Sequence, residues 1–378
     1  MKPRSRTVFF AAALLAAVLQ PTLSYAQFAF AVPAPCKDGT LPSGALSRIC
    51  VPSAGWNGAL VVYAHGYVSA VPPEPITFHN LTLPDGTDVP TLVQLLGYAF
   101  ATTSYRQNGL AILEGVEDTR ELVLAFGAAY GAPKKTHLMG VSEGGLVATL
   151  LAEQSPGLFT SALAACGPIG SFKWQINYFG DFRVLFDYYF PNILPPSPVN
   201  IPAALIENWE KVYAPAVAAA LAANPARAIE LLRVANAPFD AARPETIIET
   251  ALGVLQYNVF ATGDAMMKLG GNPYGNTFRW YFGSSDDLRL NFTVRRFTAS
   301  SAATEQLRKY ETHGNLRIPL VTIHTIGDPI IPVWQELVYF VKLDSFGHTQ
   351  FAPWPVARYG HCAFTTWEVL GAFIFTVR

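Results

Sequence analysis

The chain has 378 residues, of which 51% are hydrophobic and 14% charged, with a formal net charge of -1. That length allows a large buried core, built as two average domains or as one α/β core with an insertion. The near-neutral balance excludes the electrostatic footprint of a polyanion binder, so no nucleic-acid partner is expected.

At the start, Lys2, Arg4 and Arg6 form a basic segment, Val8 to Leu19 an apolar run, and Ser24-Tyr25-Ala26 a small-residue cleavage site. This is the pattern of a secretory signal peptide over residues 1–26, with the mature chain starting near Gln27; an uncleaved N-terminal anchor is the alternative. No later stretch reaches the about 18 continuous apolar residues of a spanning helix, so no integral membrane span is expected in the mature chain. A secreted or periplasmic location makes the four cysteines readable as two disulfides. Cys36 and Cys50 flank a turn-rich segment, Lys37 to Gly44, that lets two strands meet as a stapled hairpin. Cys166 is left to pair with Cys362, a free buried thiol being the alternative for each.

Strands and helices then alternate in the way that demands a parallel sheet with helices on both faces. Ala59 to Ala64 reads as a strand, Thr91 to Leu96 as a helix, Tyr98 to Thr103 as a strand and Glu117 to Ala129 as a helix. Thr136 to Met139 reads as a short buried strand and Gly145 to Ala152 as a helix on a sheet, with Gly140-Val141-Ser142-Glu143-Gly144 between them. That pentapeptide matches Gly-x-Ser-x-Gly, and a sharp strand-to-helix turn there lifts Ser142 clear of the sheet as a nucleophile. Glycines suit its flanks, because the turn leaves no room for side chains beside the serine.

Ser161 to Cys166 is another apolar strand, after which the alternation stops. Residues 168–318 hold an aromatic run, Pro-rich turns and helical stretches over Leu205 to Ala223 and Arg227 to Ala235, and read as a mostly helical insertion. The strand pattern resumes at Leu320 to His324, followed by a helix near Val333 to Val341 and a last helix from Ala363 to about Phe375. The expected organisation is a core of residues 27–167 and 319–378 interrupted by an insertion of residues 168–318.

From Ile49 to the C-terminus, this order of elements around a His-Gly turn and the Ser142 elbow resembles the α/β-hydrolase superfamily. The resemblance implies a mostly parallel central sheet, a helical lid inserted after the strand that follows the elbow, and catalytic residues in the chain order serine, acid, histidine. Asp328, in the turn after the strand ending near His324, matches the acid; a carboxylate there orients the histidine ring. Its bland alternative is a cap for the helix starting near Pro332, and Asp344 is the runner-up acid. Among seven histidines, His361 lies in the loop before the final helix, where the superfamily places its base. His65 belongs to a turn, His79 and His313 to loops, His137 and His324 to strands, and His348 to a strand start.

The same resemblance implies an oxyanion hole of two backbone N-H groups, from Glu143 after the nucleophile and from Tyr67 in the Tyr63-Ala64-His65-Gly66-Tyr67 turn. Cys166 and Cys362 would be neighbours in such a sheet, bracing the histidine loop. This resembles in part the tannase and feruloyl-esterase group, whose disulfide joins cysteines beside the catalytic serine and histidine; here Val141, not a cysteine, precedes Ser142. The aromatic run after Cys166 includes Phe172, Trp174, Tyr178 and Phe179, which together with Tyr67 are expected to line an acyl or aryl pocket. Packing within the lid is the alternative for each of them.

Other chemistries lack their residues. Gly144-Gly145 has no P-loop lysine, there is no His-Glu-x-x-His or Cys-x-x-Cys zinc pattern, and Asp85 with Asp88 reads as a solvated loop rather than a calcium site. No cofactor and no metal are implied. The reading is a secreted serine hydrolase cleaving small or polymeric carboxylic esters with apolar or aromatic groups. A serine peptidase or amidase of the same fold is the alternative, and a non-catalytic binding module a more distant one.

Overall fold

The computed structural model describes residues 31–378, so the leader expected over residues 1–26 lies outside the described residues. Eight strands form one sheet: β1 (Lys37–Thr40), β2 (Leu46–Cys50), β3 (Ala59–Ala64), β4 (Ala99–Thr103), β5 (Lys135–Val141), β6 (Ser161–Ala165), β7 (Leu320–Gly327) and β8 (Phe351–Tyr359). Their spatial order is β1-β2-β4-β3-β5-β6-β7-β8. β2 runs antiparallel to both neighbours, and all pairings from β4 to β8 are parallel. Central strands such as Ala-Leu-Val-Val-Tyr-Ala in β3 and Leu-Val-Thr-Ile-His-Thr in β7 are buried almost throughout, as a sheet covered on both faces requires. β8 carries Pro353 and Pro355 and pairs only with β7, since a residue without an N-H is tolerated at a sheet edge.

Six helices accompany this sheet outside the insertion. The pairs α2 (Ile112–Tyr130) and α3 (Glu143–Gln154) cover one face, burying Leu122, Phe126, Leu146 and Leu150 against β3 and β5. The other face holds α1 (Val89–Leu95) and the C-terminal helix, through Val93 and Phe373 against Val61 and Phe100. Between β6 and β7 come seven helices: α4 (Phe172–Tyr189), α5 (Ala203–Glu207), α6 (Ala214–Ala223), α7 (Pro225–Val234), α8 (Thr246–Lys268), α9 (Asp287–Thr293) and α10 (Ser301–Leu307). After β7 follow α11 (Trp334–Lys342), α12 (Ser345–Gln350) and the C-terminal α13 (Thr366–Val377). The inserted helices have their own core around Phe182, Phe186, Trp209, Leu231 and Val254. That core also takes in Ile330 and Ile331 from the loop after β7, so it is continuous with the edge of the sheet.

Strand order, the single reversed strand β2 and the strand-elbow-helix unit of β5 and α3 together are the α/β-hydrolase fold. Several elements differ from the sequence expectation. The helix expected over Leu205 to Ala223 is three pieces, with a π-helical turn at Trp209–Tyr213 between α5 and α6; Pro215 cannot donate to the ladder and sits in the first turn of α6, where no donor is needed. The 23-residue α8 was not foreseen, and the aromatic run after Cys166 is the continuous helix α4. His348 lies in α12 rather than at a strand start, and Asp344 caps that helix through the Gly347 N-H while pairing with the exposed Arg317. Asp344 is therefore removed from contention as the acid. No helix among the described residues is long and apolar enough to cross a membrane.

Two disulfides are present, Cys36 with Cys50 and Cys166 with Cys362, and no described cysteine is free. They span 14 and 196 residues of chain respectively. In the chain-entropy account the shorter loop contributes about 3 kcal/mol and the longer about 5 kcal/mol. Replacing Cys166 and Cys362 together by alanine is therefore expected to lower the thermal unfolding temperature more than replacing Cys36 and Cys50. Scanning calorimetry of the two double variants checks this, and the reverse order would count against loop entropy as the dominant effect.

Candidate active site

The elbow is built by steric exclusion. Ser142 has φ 55° and ψ -120°, a left-handed conformation that costs a non-glycine residue about 1–3 kcal/mol. The surrounding packing leaves no other course: a Cβ on Gly140 would strike the Gly144 backbone, and one on Gly144 would strike the carbonyls of Ala64 and His65. The Ser142 N-H is taken by Ala165 O at 2.8 Å and its carbonyl by the Gly145 N-H at 2.9 Å, which pins the turn between β6 and α3.

The turn after β3 lies directly against this elbow, where a Cβ on Gly66 would stand 3.2 Å from the Ser142 Cβ. His65 is buried and stacked on Tyr105 at 4.0 Å, and its Nδ1-H donates to Gly66 O at 2.7 Å. The Gly66 N-H is taken by Asn80 Oδ1. Among the described residues, the backbone N-H groups of Tyr67 and Glu143 have no protein partner. Both belong to segments at the carboxyl ends of β3 and β5, adjacent strands where the chain order reverses direction across the sheet. Open α/β sheets form their ligand crevice at that place.

Asp328 and His361 complete the arrangement. His361 Nε2 stands 2.9 Å from Ser142 Oγ, and its Nδ1 2.7 Å from Asp328 Oδ2. Asp328 is fully buried, and its other oxygen accepts from the N-H groups of Ile330 and Ile331, both at 2.9 Å. Asp328 does not cap the following helix, which starts at Trp334 with no side-chain cap; its second oxygen instead holds the turn just after β7. Burial alone would raise its pKa, but the charge and hydrogen bond of His361 and the nearby His324 hold it at about 2.

The histidine loop is held at several points. Gly360 N-H donates to Gly327 O, Thr325 Oγ1-H to Gly360 O, and Arg358 pairs with Glu368 in the capping box of α13. Cys362 joins this loop to Cys166, the residue after β6, with its sulfur 3.5 Å from His361 Nε2. Both half-cystines have left-handed backbones, φ 50° and 45°.

Ser142 opens on a narrow, mainly apolar cavity of about 100 Å³. Phe179 and Tyr257 stack in parallel at 5.1 Å along it, Tyr67 meets Tyr257 at 5.7 Å, and Ile330 and Ile331 close another side. Of the aromatic residues singled out in the sequence, Tyr67, Phe172 and Phe179 line this cavity, whereas Trp174 and Tyr178 do not. The cause is helical phase: positions 172, 175, 176 and 179 of α4 share one face, and 174 and 178 lie on another. Trp174 is 52% exposed and faces Trp334, while the buried Tyr178 donates its hydroxyl to Pro329 O, tying α4 to the Asp328 loop. Tyr257, on the unforeseen α8, was missed in the sequence; only a pattern analysis of that whole helix could have placed it.

No protein-family model matches the chain, and no curated protein does. Among solved structures, a Pyrococcus furiosus esterase is 12% identical over 90% of this chain and 89% of that one, with a TM-score of 0.45. A Pyrococcus horikoshii acylaminoacyl peptidase is 12% identical over 89% and 38%, at 0.44. A Rhodococcus 2-hydroxy-6-oxo-6-phenylhexa-2,4-dienoate hydrolase is 15% identical over 90% and 98%, at 0.41. The chain spans only 37–38% of the length of the acylaminoacyl peptidases it matches. Likenesses this distant carry no argument about activity, and the fold stands on its own strand order.

Glu143 places a second carboxyl beside the elbow. Burial pushes its pKa up to about 8, against the opposing pull of the Ala111 N-H and of Lys268. Its ordinary value is 4.5, so above that pH the unfolded chain releases a proton that the folded chain keeps, and stability falls as pH rises toward 8. Glu143→Gln keeps the acceptor for Ala111 and removes the titration. The variant is expected to melt a few degrees above the wild type at pH 8 and to lose that advantage near pH 4. Thermal melts at the two pH values test this; parallel pH slopes for the two proteins would refute it.

Proposed function

We propose that the protein is a serine hydrolase of carboxylic esters, acting through an acyl-enzyme on Ser142. The observation that carries this reading is the continuous relay from Ser142 Oγ through His361 to Asp328, at 2.9 and 2.7 Å, opening on an apolar cavity. In this reading His361 Nε2 takes the Ser142 proton as Oγ attacks the ester carbonyl, and Asp328 stabilises the imidazolium that forms. The developing oxyanion is received by the N-H groups of Tyr67 and Glu143. His361 then passes the proton to the departing alcohol, and water repeats the sequence in reverse to free the acid.

The substrate class follows from the cavity. Its Phe179, Tyr257, Ile330 and Ile331 surfaces suit a slender acyl chain or a small aryl group. A wider groove of about 970 Å³ shares Tyr67, Tyr257 and Ala261 with it and provides a route for the alcohol half. Residues 168–318 act in this reading as a lid over Ser142, since α4 and α8 supply cavity walls. Export by the leader and residence outside the cytoplasm fit the two disulfides. The peptidase alternative calls for an anchor for a terminal amine. Glu143, the carboxyl residue that lines the cavity, is engaged by the Ala111 N-H and its pKa is raised by burial, which favours the ester reading.

Ser142→Ala is expected to lower kcat/KM on p-nitrophenyl butyrate by about 10³-fold or more, and Asp328→Asn by about 10³–10⁴-fold. Equal rates in wild type and Ser142→Ala would remove the nucleophile assignment. Cleavage of aminoacyl p-nitroanilides without cleavage of esters would replace the ester reading with the peptidase one. Opening the aromatic wall by Tyr257→Ala is expected to raise KM for octanoate esters by roughly tenfold, the loss of one well-packed aromatic contact, with a smaller change for acetate; steady-state kinetics over the chain-length series reads this directly.

A further inference from the structure

A second histidine stands behind the acid of the relay. His324, on β7, directs Nδ1 at Glu336 Oε1 at 2.9 Å and Nε2 at the Ile331 carbonyl at 2.8 Å. The carbonyl can only accept, so Nε2 carries a hydrogen; the carboxylate opposite Nδ1 calls for another there. With both nitrogens donating, the ring is a cation. The other oxygen of Glu336 is held by the Thr322 hydroxyl at 2.7 Å. His324 Nε2 is also 3.6 Å from Asp328 Oδ2, the same oxygen that accepts from His361. His324 is 1% exposed and Asp328 not at all, so solvent screens this charge weakly.

Resting on the Ser142, His361 and Asp328 assignment, we propose that His324 is a positioning residue: a standing imidazolium, anchored by Glu336, that shares the Asp328 carboxylate with His361 and sets the acidic limit of the relay. Burial opposes its charge, but the hydrogen bond to Glu336 and the charges of Asp328 and Glu336 outweigh burial and raise its pKa to about 10. The remaining titratable groups facing Asp328 are the phenols of Tyr178 on α4, Tyr257 on α8 and Tyr359 on β8, all shifted upward by burial and therefore neutral through the working range. His324 and Glu336 are thus the charges that bias the carboxylate before a proton reaches His361. A cation already on Oδ2 disfavours a second one on the same oxygen.

His324→Gln removes the charge and keeps a donor toward Ile331. The acidic limb of kcat/KM, followed by pH-stat on a soluble short-chain ester, is expected to move up by about half to one pH unit. The high-pH plateau should fall less than about tenfold, because the catalytic groups themselves remain. A rate loss equal at all pH values, with the limb unmoved, would show a merely structural residue and overturn the proposal. Ser142→Ala in the same assay separates the two levels: turnover abolished there with an unmoved limb in His324→Gln rejects only the role of His324, whereas turnover retained rejects the triad reading as well. Should His324→Gln fail to fold, 15N-histidine NMR of the wild-type chain decides. One ring doubly protonated from pH 6 to 8.5 is expected, and none in that state overturns the proposal.

Discussion

The structure depends on one geometric constraint, that parallel strands deliver their carboxyl ends to a common edge. Ser142 and His361 are 219 residues apart in sequence and meet at 2.9 Å, because β5, β7 and β8 all run in the same direction and release their chains at that edge. The His-Gly turn after β3 arrives there by the same rule. With β2 the sole reversed strand, every loop that bears a polar group of the site leaves the sheet on one side, and helices cover the two faces. A slip in one pairing would move Ser142 or His361 by a full residue spacing, which the buried central strands resist.

Local strain is concentrated where those ends meet. Ser142, Cys166 and Cys362 all have positive φ. The elbow is wedged between β3 and β6, and the two half-cystines are linked to each other. Such conformations persist only when the surrounding structure over-determines them. The hydrophobic mass of α2, α3 and the sheet supplies that surplus, with Leu122, Phe126, Leu146 and Leu150 fully buried. The disulfide adds a covalent link between the end of β6, beside Ser142, and the loop carrying His361.

Polar groups at the site are arranged in a graded way. The carboxylate of Asp328 is buried but satisfied by two backbone N-H groups, His361 and the nearby His324, so it remains ionised. Glu143, buried with fewer compensating partners, takes up a proton instead. Two carboxyl groups flanking one serine thus carry different charge states because their environments differ in donors, not in depth. The insertion adds to this order: Tyr178 and Gln175 of α4 bind the carbonyls of Pro329 and Ile330, which stiffens the turn that aims Asp328.

Much of this was legible in the sequence by itself. Short apolar runs bounded by turn residues mark the parallel strands, the glycines around Ser142 mark the elbow, and the turn-rich segment between Cys36 and Cys50 marks a hairpin; all are local signals, set by propensity and sterics within a few residues. The positions of Asp328 and His361 were readable through their chain order in a resembling superfamily. Only the tertiary structure decided what depends on helix phase and on distant partners. Trp174 and Tyr178 turn away from the cavity while Phe179 enters it, Tyr257 reaches it from a helix nearly eighty residues further on, and His324 meets Asp328 and Glu336 at the end of β7. A sequence states which side chains are available; which of them face one another is settled by the packing of elements whose rotation about their own axes no local signal specifies.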